Sequence, residues 1–153
     1  FHLSDDMRWM EQRIGHERCK GAYAFKKLRE SGAVLSFGSD WPGTTAAYYP
    51  INPIYGIYAA VTRQTVLGEP KDGWFPNERI TVEEAIKAYT WGSAYASFED
   101  DIKGTISAGK LADITVLDTN LLQVQPRDWL DAKGDVKVQT LLTIVGGEVV
   151  FER

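Results

Sequence analysis

Of the side chains in this 153-residue chain that could do acid–base or metal chemistry, one has an unusual setting. Asp40 closes the run Ala33-Val34-Leu35-Ser36-Phe37-Gly38-Ser39, with Trp41 and Pro42 behind it. A mostly apolar run ending on a carboxylate reads as a strand buried on both faces, with the acid at its C-terminal end. In α/β barrels that end carries the active site. An aspartate there can bind a metal, orient a water or accept its proton. It can equally cap the following turn. The spacing predicts a buried strand at 33–37, a sharp turn at Gly38, and the Asp40 carboxylate opening into a cleft.

His2 is the second candidate, because it stands just before a helix, where another strand end would lie. A lone histidine is also a common structural or solvent-facing residue. His16, between Gly15 and Glu17, reads as solvated, and the two histidines lack metal-ligand spacing. Asp5-Asp6 suits the negative charge favoured in a first helical turn, and Glu99-Asp100-Asp101 suits a solvated turn. The single cysteine, Cys19, excludes an intrachain disulfide. That fits a reducing, cytoplasmic setting. No glycine-rich phosphate loop is present.

The elements that must position these residues follow from pattern and punctuation. Residues 4–15 read as a helix with Ser4 as N-cap and Gly15 as its stop. Residues 17–31 read as a second helix ending at Gly32, so helix and strand make one step of a parallel α/β sheet. Residues 41–51 read as an aromatic loop with Trp41, Tyr48 and Tyr49. Asn52-Pro53 starts a helix carrying Ile54, Ile57, Tyr58 and Val61. Thr81 and Glu84 form a capping box before a further helix. Ala85, Ala88, Gly92 and Ala96 give that helix a small-residue side suited to close packing. After residue 104 the pattern turns to strands at 113–117 and 136–145, with Gly146-Gly147 turning a hairpin into a return strand. The division is 1–103 as α/β and 104–153 as mainly β.

Composition is that of a globular chain, 44% hydrophobic and 25% charged. A net charge of -4 and a pI near 5.2 argue against a nucleic-acid surface. No apolar run is long enough to span a membrane.

Five stretches together resemble amidohydrolase family 3, the metal-dependent hydrolases that include N-substituted formamide deformylases. They are FHLSDDMRWMEQRIGHERCKGAYAFKKLRESGAVLSFGSDWP, INPIYGIYAAVTRQ, GWFPNERITVEEAIKAYTWGSAYASFEDDIKGTI, AGKLADITVLD and VQTLLTIVGGEVVFER. The resemblance covers essentially the whole chain. It implies the last part of a (β/α)8 TIM barrel over 1–103 and part of a composite β-sandwich over 104–153. It makes Asp40 the base, later the acid, and a contact of a divalent metal, zinc by preference. It puts His2, Ser39 and Trp41 near a small amide-type substrate. Asp113, in the Ala-Asp step of the sandwich, is implied to be structural.

The remaining ligands of that family, a His-x-His pair and further histidines, have no counterpart here. A barrel needs roughly 250 residues, and a catalytic zinc takes three protein ligands plus water. The chain opens on Phe1-His2, so the expectation is a C-terminal portion, inactive alone, whose parent hydrolyses a non-peptide carbon–nitrogen bond. Its partners would then be the rest of the parent chain or identical copies. The alternative is a non-catalytic oligomerisation or interaction module in which Asp40 is only a cap.

Overall fold

A computed structural model describes residues 1–41 and 51–153. Tyr48 and Tyr49 of the anticipated aromatic loop lie outside the described residues. The elements are α1 (His2–Asp6), α2 (Met10–Ile14), α3 (His16–Cys19), α4 (Phe25–Glu30), α5 (Pro53–Thr62), α6 (Val82–Tyr89), α7 (Trp91–Ala96), β1 (Ile114–Leu117), β2 (Thr140–Val145) and β3 (Glu148–Glu152).

Where local signals are strong they decide the outcome. The Asn52 side chain accepts from the Ile54 N–H at 2.9 Å, with Pro53 behind it, and α5 starts there. At α6 both arms of the capping box are made. Thr81 Oγ1 accepts from the Glu84 N–H at 3.2 Å, and the Glu84 carboxylate accepts from the Thr81 N–H at 2.8 Å.

Where tertiary contacts compete, the long helices break. The expected helix over 4–15 is two, α1 and α2, and Ser4 is buried inside α1 rather than capping it. Leu3 and Met7 are both buried, so core packing rather than capping sets where α1 begins and how it is turned. The expected helix over 17–31 is interrupted at Tyr23, whose φ is +50°. Its carbonyl accepts from the Arg63 guanidinium at 2.7 Å, a bond to another part of the chain that replaces a helical one.

The predicted strand at 33–37 does not form. The segment is extended but has no neighbouring strand among the described residues, and it lies against the junction of α6 and α7. Phe37 N–H donates to the Ala88 carbonyl at 3.1 Å, and Ser93 Oγ donates to the Phe37 carbonyl at 3.1 Å. With cover on one side only, Leu35 and Phe37 turn inward while Val34 and Ser36 face out. Ala85, Ala88 and Gly92 of the expected small-residue side are buried, but the helix breaks at Thr90, so Ala96 is exposed and Ala94 is buried in its place. A Cβ on Gly92 would overlap the Leu35 carbonyl oxygen.

Residues 114–152 give one antiparallel sheet, order β1-β2-β3, as expected for the hairpin and the strand before it. Gly146 and Gly147 turn it with φ of +59° and +89°, a pair of left-handed values that glycine adopts without strain. Strand β2 starts at Thr140 rather than 136. Val136 makes only an isolated bridge to Leu130. The main core joins α5 and α6 to the 121–138 segment through Ile54, Ile57, Tyr58, Ala85, Trp129 and Val138. Trp129 is fully buried and donates its indole N–H to the Val124 carbonyl at 3.2 Å.

Candidate active site

The extended segment ends by turning at Asp40, where φ is +52°. Aspartate tolerates this left-handed region better than most residues. Ser39 Oγ accepts from the Trp41 N–H at 3.2 Å and fixes the bend. Across from it, the first turn of α1 presents His2, and His2 Nε2 lies 3.3 Å from Asp40 Oδ2. So four expected site residues, His2, Ser39, Asp40 and Trp41, do gather at one place. They do not line the anticipated cleft: the Asp40 side chain is 64% exposed and that of His2 is 29% exposed. The reason is the missing strand neighbour, since a cleft at a strand end is walled by the ends of adjacent strands.

An imidazole against a carboxylate can hold a proton between them or pass it on. Metal binding asks for more. Among the described residues no group of three or more His, Cys, Asp or Glu side chains is placed to hold an ion. His2 and Asp40 offer two donors of the right type, so a resident zinc with three protein ligands does not fit this chain's residues alone.

The other residues weighed for chemistry have structural partners. His16 Nδ1 meets Glu11 Oε2 at 2.9 Å, and the other oxygen of Glu11 accepts from the Trp74 indole N–H at 2.7 Å. The imidazole and the indole together hold the Glu11 carboxyl below its usual range. Cys19 is fully buried, and burial pushes its thiol up, away from the thiolate a nucleophile needs. Asp113 Oδ1 accepts from the Gly146 N–H at 2.8 Å and ties β1 to the hairpin turn.

Two features have no counterpart in the sequence reading. Tyr23 donates its hydroxyl to Asp6 Oδ2 at 2.5 Å, and burial followed by this bond raises the phenol well above its ordinary value. Arg63 is fully buried, with its guanidinium near the rings of Phe25 (5.6 Å) and Trp74 (5.5 Å). Its Nε donates to the Trp74 carbonyl at 2.9 Å. Burial pulls it down to about 10 against the opposing pull of Glu78, so it stays charged at neutral pH. A cation directly after the apolar run of α5 was the available signal for Arg63. Nothing local marks Tyr23.

The model of the Amidohydrolase family matches residues 1–151. Among curated proteins, the chain is 36% identical over 151 residues to Protein LONG AFTER FAR-RED 3 of Arabidopsis thaliana, covering 98% of this chain and 24% of that one. It is 31% identical over 153 residues to "Putative amidohydrolase YtcJ" of Bacillus subtilis (strain 168), covering 99% and 26%. It is 33% identical over 133 residues to N-substituted formamide deformylase of Arthrobacter pascens, covering 86% and 22%. The chain thus spans about a quarter of the length of these relatives. No solved structure matches it. With the match running over nearly every residue, and over the His2 and Asp40 positions with the rest, the chain belongs to the amidohydrolase family.

Proposed function

We propose that this chain is the C-terminal portion of a metal-dependent hydrolase acting on a non-peptide carbon–nitrogen bond, with Asp40 as its proton carrier. The observation that carries the reading is the 3.3 Å approach of His2 Nε2 to Asp40 Oδ2, in a chain matched by the family over 1–151. In hydrolysis, water oxygen adds to the carbonyl carbon and the C–N bond breaks. One proton must leave the water and one must reach the departing nitrogen. The Asp40 carboxylate takes the first and delivers it as the second, while His2 holds the carboxylate in place. Ser39 and Trp41 flank the substrate, and the exposed Trp41 ring suits an apolar or aromatic substituent. The name of the Arthrobacter relative favours N-substituted formamides as the first class to try.

In this reading residues 1–103 complete a TIM barrel, residues 104–153 contribute one sheet of a β-sandwich, and the metal takes further donors from outside this chain. Without them the 153 residues alone do not turn over substrate. The test assays the full-length protein and the 153-residue chain side by side on N-substituted formamides and small cyclic amides, following release of the amine. Turnover by the full-length protein and background from the chain is the expected result. Equal turnover by the chain alone overturns the incomplete-site reading, and no turnover by either overturns the hydrolase reading.

A further inference from the structure

Helix α1 carries His2, and at five residues it is far too short to hold its own position. Its orientation therefore comes from contacts with the rest of the fold. One stripe, Leu3 and Met7, is buried in the small core that also holds Cys19, Ala59 and Trp74. Apolar contacts of this kind are non-directional and leave a short helix free to roll by a fraction of a turn. The adjacent stripe holds His2 and Asp6, one turn apart and so on the same side of the helix. Asp6 is where a directional tie is made, the 2.5 Å bond from the Tyr23 hydroxyl.

Tyr23 is itself a fixed post. Its carbonyl accepts from Arg63 Nη1 at 2.7 Å, and Arg63 is fully buried and bonded onward to Trp74. Its ring meets Phe25 edge-on at 6.0 Å between centroids. A roll of α1 that broke the Asp6 bond would carry His2, four residues back on the same side, away from Asp40.

We infer that Tyr23 is a positioning residue: its hydroxyl, through Asp6, sets the roll of α1 that brings His2 onto Asp40. This rests on the reading of His2 and Asp40 as a working pair, but its test reads geometry and not turnover. The measurement is the ring nitrogen signal of His2 in imidazole ¹H–¹⁵N spectra of the full chain at neutral pH, with His16 as internal reference. Asp40→Asn calibrates the change that loss of the carboxylate produces. Tyr23→Phe keeps the ring and the Arg63 bond, and should move the His2 signal by a comparable amount while His16 stays in place. Asp6→Asn keeps an oxygen acceptor for the phenol and should leave His2 near its wild-type position. The inference is overturned if Tyr23→Phe leaves His2 unmoved. It is equally overturned if Asp6→Asn moves His2 as far as Tyr23→Phe does, or if Tyr23→Phe shifts His16 as well, since the hydroxyl is then a general support. A full-length protein with no amidase activity would sink the proposed function and leave this result standing.

Discussion

Glu78 is only 3% exposed, and its burial opposes ionisation. Against that, Lys27 approaches with its ammonium at 3.0 Å and its backbone N–H at 3.2 Å, and Arg63 adds positive charge. The cations win, and the carboxyl sits below its ordinary 4.5. A depressed folded value means the unfolded chain binds the proton more readily. The stabilisation is therefore fully present above about pH 4.5 and is lost as pH falls through the lower folded value. Denaturant midpoints measured from pH 7 to pH 3 should fall on the acid side, and Glu78→Gln should flatten that fall. At pH 7 the variant should lose about 1.5–3 kcal/mol, the usual worth of hydrogen bonds to a charged group. Asp113 is a second test at this scale. Asp113→Ala removes the acceptor for Gly146 N–H, and should cost about 1 kcal/mol with little effect on turnover. The structural reading of Asp113 comes from the family resemblance, and its bond to the Gly146 N–H agrees with it. The exposure of Asp40 was not legible in the sequence, because a strand pattern says nothing about which neighbours wall its end.

The elements that sequence marks most clearly are those with local chemistry at their ends. Asn52-Pro53, the Thr81/Glu84 box and Gly146-Gly147 each satisfy or bend backbone within a few residues, and each is found where the pattern puts it. The breaks at Met7–Trp9, Tyr23 and Thr90 were not readable, since partners distant in sequence create at least the one at Tyr23. The 33–40 segment is the instructive case. Its apolar run reads as a two-faced strand, yet only Leu35 and Phe37 are drawn inward, and α6 and α7 supply the contact. That contact gives a prediction for the element. Gly92→Ala would drive a methyl into the Leu35 carbonyl, a backbone atom that cannot swing aside. We expect a loss of about 1–3 kcal/mol in denaturant unfolding, typical of overpacking. The same change should weaken the His2–Asp40 contact, because the displaced segment carries Asp40. Wild-type stability in the Gly92→Ala variant would show that α7 does not set this segment.

At the scale of the whole molecule, the sheet is half dressed. All five residues of β3 are exposed, Val149, Val150 and Phe151 among them, and so are Leu141 and Val145 of β2. Among the described residues no helix is long and apolar enough to cross a membrane. We propose that the sheet is covered either by a second copy or by the remainder of the parent protein. Sedimentation of the 153-residue chain should show species heavier than its 17.1 kDa, and Val150→Lys on the outer strand should reduce them. A chain that stays monomeric at all concentrations contradicts cover by a second copy and leaves the remainder of the parent protein. This chain spans about a quarter of the length of its relatives, and in the full-length protein we propose that Asp40 carries the proton and Asp113 does not. Asparagine also tolerates the left-handed backbone at position 40, so Asp40→Asn changes the charge and leaves the turn intact. The deciding measurement is kcat for Asp40→Asn and Asp113→Asn in the full-length protein, with folding checked in both. We expect a loss of about 10²–10⁴-fold for Asp40→Asn, the usual contribution of a general base, and near-normal kcat for Asp113→Asn. Near-normal kcat in Asp40→Asn, with activity abolished in a folded Asp113→Asn, would contradict the proposal.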